Sequence, residues 1–325
     1  MKAVLIKDSS NHLYIGDSSE PQLGDNDLLV SVKATALNRA DIAQKNGMYP
    51  PPKGESDILG LEMAGAVEKV GRSVQDWEVG DRVFALLPGG GYAEKVVIPA
   101  GMAMRIPDNL SYTEAAAIPE AYLTAFLNLS VLAGVKAGEH VLIHAGASGV
   151  GTAAIQLVRE WGAISVVTAG SEKKLNVCKN LGAEYLINYK DGDFSNGLVE
   201  FTSNKGVDVI LDPVGASMWQ ENMNSISTDG RWIFIGGLGG YLLSEVNLLQ
   251  LLFKRIHFIG STLRARSKAD KIELTKKFFS FAEEKFKNGK LIPVIDQVMS
   301  WHDVNEAHQV MEANKNIGKI VLKID

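Results

Sequence analysis

Residues 141–157 read VLIHAGASGVGTAAIQL, and the fold turns on them. Val141–His144 is a short, mostly apolar and partly β-branched run, the make-up of a buried strand. A turn of small residues follows, Ala145-Gly146-Ala147-Ser148-Gly149-Val150-Gly151. Beyond it Val150, Ala153, Ala154, Leu157, Val158 and Trp161 recur at helical spacing on one face. Strand, glycine turn and helix make the corner that cradles the pyrophosphate of a dinucleotide. Glycines let the backbone come close, and the helix N-terminus faces the negative charge. Against G-x-G-x-x-G, Gly146 and Gly151 hold the outer positions. Ser148 replaces the middle glycine, with Gly149 beside it. A glycine pattern is weak evidence alone, so its surroundings must decide.

Working outward, strands are expected at Ile164–Ala169, Glu184–Asn188, Val207–Asp212, Arg231–Ile235 and His257–Leu263. Helices are expected between them at Gly151–Trp161, Lys173–Leu181, Phe194–Thr202, Met218–Ile226 and Leu243–Phe253. Strands such as VDVILD and WIFIG are apolar throughout, which suits a parallel sheet covered on both faces. The alternation predicts an α/β fold with a doubly wound, Rossmann-type parallel sheet.

Residues 1–115 read differently. Strand candidates Met1–Lys7, Asp27–Ala36, Met63–Val70, Asp81–Leu86 and Tyr92–Pro99 are punctuated by Tyr49-Pro50-Pro51-Pro52 and Pro88-Gly89-Gly90-Gly91. This predicts a β-barrel-like domain. Ser111 through Glu114 has the spacing of a capping box, and helical pieces follow at Thr113–Ile118 and Leu123–Leu132. After the sheet come a helix at Lys268–Asn288, a strand at Leu291–Gln297, a helix at Asp303–Asn314 and a strand at Gly318–Ile324. The expected organisation is a β domain over 1–120, a dinucleotide-binding domain over 121–263, and a return to the first domain over 264–325.

The 325 residues carry a net charge of −5 and a pI near 5.8, so nucleic acid is an unlikely partner. No apolar run reaches the roughly 18–20 residues a membrane span needs. Cys178 is the only cysteine, which excludes an internal disulfide and every multi-cysteine metal site. A cytoplasmic setting is expected.

The second strand ends at Thr168-Ala169-Gly170-Ser171. A fold that prefers NAD carries an acidic residue about 20 residues past the glycine loop, to hold the ribose hydroxyl. Gly170 and Ser171 stand there instead, followed by Glu172, Lys173 and Lys174. Hydroxyl and ammonium groups attract a 2′-phosphate, so NADPH is the expected cofactor. Tyr189, past the third strand, is placed to reach the same phosphate. Gly236-Gly237-Leu238-Gly239-Gly240 lies after a late strand, where its backbone can approach the nicotinamide ribose.

Ordered motifs run along nearly the whole chain: Gly60-Leu61-Glu62, Val79-Gly80-Asp81-Arg82-Val83, Pro88-Gly89-Gly90-Gly91-Tyr92-Ala93-Glu94, Ala115–Pro119 with Thr124-Ala125, HAGASGVG, Ala169-Gly170-Ser171, and Glu306-Ala307-His308 through Leu322. With them the chain resembles the zinc-independent quinone oxidoreductases of the medium-chain dehydrogenase/reductase superfamily. The resemblance implies a GroES-like β-barrel catalytic domain formed by both chain ends and a central Rossmann domain. Zinc-dependent relatives carry a metal-binding histidine where Leu61 stands, and a four-cysteine cluster that is missing here, so no metal is expected.

The same resemblance assigns the site residues. Ser148, Gly149, Val150 and Gly151 match the pyrophosphate turn. Gly170, Ser171, Lys174 and Tyr189 match the adenosine-phosphate pocket. Asn38, Tyr49 and Thr124 match the lining of the nicotinamide cleft between domains, with Tyr49 and Asn38 as candidate catalytic groups. Phe234, Gly236, Gly237, Leu238, Asn316 and Lys319 match later cofactor contacts. Asp41 is expected to cap a helix, and Glu62 to be the buried partner of a basic residue.

The implied reaction is NADPH-dependent reduction of quinones, ortho-quinones foremost, held flat against the nicotinamide so that proximity supplies most of the catalysis. An alkene or enoyl reductase acting on a conjugated carbonyl is the alternative, with a crystallin-like or RNA-binding role behind it. The apolar Val246–Phe253 and the strand after it suggest an exposed sheet edge and a homodimer.

Overall fold

The computed structural model describes residues 1–7 and 11–325. The chain forms two compact units, one of Met1–Leu123 with Arg264–Asp325 and one of Thr124–Leu263.

The second unit is built on six parallel strands: His140–Ile143, Ile164–Ala169, Tyr185–Asn188, Val207–Asp212, Ile226–Phe234 and His257–Gly260. Numbered along the chain, they lie across the sheet in the order 3-2-1-4-5-6. That order reverses beside the first strand and opens a crevice at the carboxyl ends of the strands. In register, Ile210 lies opposite Leu142 and Trp232. These three side chains and Val166 are all buried, forming the middle of the unit's core. Cys178 is buried as well, and burial pushes its thiol up to about 12.

In the first unit the long strand Asp27–Ala36 pairs with three others. Glu62–Val70 runs antiparallel along it, Lys95–Pro99 pairs with its first half, and Lys319–Lys323 pairs with its end. Val30 faces Val67 on one side and Val96 on the other, and all three side chains enter the core with Leu59, Met63, Trp301 and Ile320. The segment 264–325 thus completes a sheet begun near residue 27.

Several elements differ from expectation. Strand His12–Asp17, which pairs with Lys2–Lys7, and helix Arg39–Lys45 are additional. The expected helix Leu243–Phe253 starts only at Leu248, because Asn247 caps it by accepting the Leu249 amide at 3.1 Å. The strand expected at Leu291–Gln297 is Ile295–Ser300; Pro293 lacks the N–H a strand would use. Ser111 and Glu114 form the predicted capping box. Pro119 then opens a helix to Phe126, which widens into a π-type turn over Leu127–Leu132. Among the described residues no helix is long and apolar enough to cross a membrane.

Candidate functional site

In the second unit the sheet brings one group of expected site residues to a single edge. All six strands are parallel, so the loops after strands one, two, three and five emerge on the same side. Ser148 is the N-cap of helix Gly149–Glu160, its Oγ accepting the Gly151 amide at 3.0 Å. The first backbone bond of that helix runs from Thr152 N to Ser148 O. The amides of Gly149 and Val150 precede it, and such first-turn donors suit an anion. The glycines at either end of the turn are steric requirements. A Cβ on Gly151 would lie 2.4 Å from the Ala145 carbonyl oxygen, and one on Gly146 would lie 2.9 Å from Val167.

One strand over, Ser171 caps helix Glu172–Leu181 through Lys174 N, at 3.4 Å. A Cβ on Gly170 would sit 2.6 Å from the Tyr189 hydroxyl. Glycine there is what allows that hydroxyl to lie against the strand end. Gly170, Ser171 and Tyr189 therefore meet at the strand end, with the Lys174 backbone amide on Ser171 and Glu172 opening the helix that follows.

Phe234 ends the fifth strand, but its ring turns into an aromatic cluster, stacked on Phe258 with centroids 6.1 Å apart and edged by Tyr241 at 6.4 Å. The backbone beyond it, Gly236, Gly237 and exposed Leu238, continues along the carboxyl edge. It is stitched to the neighbouring loop by Leu238 N to Pro213 O and Gly239 N to Val214 O. Thr124 lies in the helix that enters this unit, and its carbonyl accepts the Asn128 side chain at 2.7 Å.

The first unit holds Asn38, Tyr49, Asn316 and Lys319, and its organiser is Glu62. This carboxylate is wholly buried. Its Oε1 accepts from Lys319 Nζ at 2.7 Å and Asn38 Nδ2 at 2.8 Å, and its Oε2 accepts the Glu120 amide at 2.8 Å. Glu62 is thus the buried partner of a basic residue that the sequence suggested. Lys319 also donates to Leu37 O at 2.7 Å and Asn38 Oδ1 at 2.6 Å. An ammonium has three protons, and all three are used inside the protein. Against expectation, the Lys319 side chain has none left for a cofactor; what it holds is Asn38. Asn316 turns its amide to Gly318 O at 2.8 Å.

Asp41 sits at the third position of helix Arg39–Lys45 and reaches back to Asn38 N at 2.7 Å, the reciprocal arm of a capping box. It also accepts Gly60 N at 3.0 Å. Burial pushes its carboxyl up to about 6 despite these donors. Tyr92, fully buried, has its hydroxyl 3.4 Å from Asp41 Oδ2 and 3.3 Å from His308 Nε2. Burial pushes His308 down to about 3, so it is neutral.

Tyr49 is held by Arg264, which the sequence did not single out. The guanidinium lies 5.3 Å from the centre of the Tyr49 ring and donates to Tyr49 O, Pro88 O and Gln44 Oε1 at 3.3, 2.7 and 2.7 Å. One cation thereby ties together the two proline- and glycine-rich loops. Glu120 was missed as well. Burial, and after it the charge of Glu62, push its carboxyl up to about 8. In the sequence an acid just inside a helix start reads as a complement to the helix dipole, and its neighbours are distant along the chain. Leu61 is a buried apolar side chain, and among the described residues no cluster of three or more His, Cys, Asp or Glu is able to hold a metal.

Residues 24–108 match the family described as "Alcohol dehydrogenase GroES-like domain" and residues 149–279 the one described as "Zinc-binding dehydrogenase". A quinone oxidoreductase-like protein 2 homolog of Nematostella vectensis is 31% identical over 99% of this chain and 88% of its own length. Among solved structures, a quinone oxidoreductase of Pseudomonas syringae is 30% identical, with a TM-score of 0.88 over 99% of both chains. A mycobacterial protein complexed with NADPH is 27% identical, with a TM-score of 0.89 over 99% of this chain and 100% of its own. The enoyl reductase CurK is 26% identical, with a TM-score of 0.87 over 100% of this chain and 99% of its own. The chain belongs to the medium-chain dehydrogenase/reductase superfamily.

Proposed function

We propose that this oxidoreductase uses NADPH to reduce quinones, ortho-quinones foremost. The observation that carries the cofactor is the cluster at Gly170. A serine and a tyrosine hydroxyl stand at the strand end, where a carboxylate would repel a 2′-phosphate; Gly170 leaves room for the tyrosine, and Lys174 follows in the first turn of the next helix. Ser148 and the first-turn amides of Gly149 and Val150 supply the pyrophosphate contacts. Once bound, the nicotinamide supplies hydride. The protein's task is then to hold a flat acceptor and manage one proton. Tyr49 offers a ring face and a hydroxyl, with Arg264 fixing its loop. Asn38, immobilised by Glu62 and Lys319, presents a rigid polar edge. A quinone oxidoreductase and a quinone oxidoreductase-like relative favour a quinone acceptor.

The likeness to an enoyl reductase favours a second reading, hydride delivery to a conjugated alkene. A panel of ortho-quinones, enals and enoyl thioesters under NADPH and NADH separates the two, with semiquinone followed by electron paramagnetic resonance. Quinone turnover with NADPH at least tenfold above every alkene is expected. Turnover of alkenes alone, or equal use of NADH, would sink the proposal.

A homodimer is proposed from the sixth strand. Among the described residues His257–Gly260 pairs on one side only, with Ile226–Phe234. Leu248, Leu252 and Phe253 beside it are each at least two-thirds exposed. An open edge flanked by apolar side chains suits pairing with its own copy about a two-fold axis. Sedimentation at micromolar protein is expected to give twice the 35.1 kDa chain mass; a monomer contradicts it.

A further inference from the structure

Adding hydride to a quinone or enone pushes an electron pair onto the acceptor oxygen, which must then gain a proton. Around Tyr49 and Asn38 most polar groups are already committed. Arg264 and Lys319 are cations engaged with protein acceptors. Glu62 accepts three donors, and Asp41 accepts two backbone amides beside the Tyr92 hydroxyl. Glu120 is the exception. Its backbone amide is fastened to Glu62, the carboxylate that also holds Asn38. Its own carboxyl has no hydrogen-bond or ion-pair partner among the described residues, and the residue is only partly buried.

We propose, resting on the reductase reading above, that Glu120 is the acid that donates this proton to the acceptor oxygen, while Tyr49 orients the acceptor. As hydride adds, the displaced electron pair takes the Glu120 proton. The carboxyl O–H bond breaks, an O–H bond forms on the acceptor, and solvent water reprotonates the carboxylate. One hydride and one proton are consumed per acceptor. The charged groups acting on Glu120 are Glu62 and Asp41, which favour its protonated form, and Lys319, Arg264 and Lys271, which oppose it; its own charge in turn raises the Tyr49 hydroxyl. Burial adds to the carboxylates' side and holds the acid protonated up to about pH 8. A donor poised near the working pH is what general acid catalysis requires.

The test compares wild type, E120Q and E120D. In the cofactor-free protein, a carbon-13 glutamate carboxyl signal that is absent from E120Q is expected to titrate near pH 8. In steady-state reduction of an ortho-quinone by NADPH, wild-type kcat is expected to fall tenfold per pH unit above about 8. E120Q is expected to lose about 100-fold in kcat, with KM within threefold and no descending limb. E120D, still an acid at shorter reach, is expected to keep the limb at an intermediate kcat, which also serves should E120Q fold poorly. An E120Q enzyme with wild-type kcat and pH profile overturns the proposal, as does a Glu120 signal that titrates below pH 6. If wild type reduces neither quinone nor enone while Glu120 still titrates near 8, the reductase reading fails and the donor role falls with it.

Discussion

Replacing Lys319 by Met removes one ammonium and three hydrogen bonds from the interior of the first unit. The Glu62 carboxylate left behind is wholly buried, and Lys319 itself is only 4% exposed. Stranding one member of a buried ion pair costs about 3–5 kcal/mol, more than the pair contributes over an apolar substitute. The Glu62→Gln change strands the ammonium instead, softened by Leu37 O and Asn38 Oδ1. The double variant removes both charges and is expected to lose only about 1–2 kcal/mol. Urea titration reads these values. With an m-value of about 3 kcal/mol/M, the midpoint of Lys319→Met falls by about 1–1.7 M. A loss below about 1 kcal/mol, or single changes that add up to the double within about 0.5 kcal/mol, would refute the coupling. NADPH affinity in folded Lys319→Met is expected to stay within about threefold, because its ammonium has no proton to spare; a tenfold loss would return Lys319 to the cofactor site.

Three further outcomes follow from the same geometry. Lys174→Ala is expected to weaken NADPH by about 1.5–3 kcal/mol in equilibrium titration and to spare NADH; equal changes for both would refute the 2′-phosphate pocket. Ser148→Ala removes the 3.0 Å cap bond to Gly151 and is expected to cost about 1 kcal/mol of stability, with an unchanged urea midpoint as the contrary result. Asp41 is raised from 3.8 to about 6 in the folded protein, so its stabilising share is complete below pH 3.8 and lost as pH rises through 6. Relative to Asp41→Asn, wild type should lose about 2–2.5 kcal/mol between pH 4 and 7; a constant difference would contradict the shift.

What the sequence reveals here is local in character. The glycine turn, its strand and the capping serines at 111, 148 and 171 act on residues within a few positions, so their spacing suffices to place them. Several of the parallel strands are legible because they hold unbroken apolar runs, such as Val141-Leu142-Ile143 and Trp232-Ile233-Phe234. Leu61 and Glu62 were legible through the resemblance, which supplied the histidine that Leu61 replaces. Arg264 and Glu120 were not, because their partners lie 176 to 220 residues away for Arg264 and 58 for Glu120. Basic and acidic side chains read as solvated surface until tertiary packing buries them. Lys319 shows the limit of analogy: matching a position located the residue but not where its ammonium is used. Strand His12–Asp17 escaped notice because only Leu13 is buried in it, leaving little alternation to read.

The composition of the first unit sets an order of events during synthesis. Residues 124–263 are contiguous and their sheet needs nothing outside them, so this unit is able to fold as soon as it clears the ribosome, whereas Glu62 must wait for Lys319, translated 257 residues later. Until then a carboxylate destined for the interior has no cation, and strand Asp27–Ala36 has an unpaired end. The half-made first unit is therefore the species that chaperones and proteases meet. Truncations that remove 319–323 are expected to leave a soluble nucleotide-binding unit attached to an unfolded remainder.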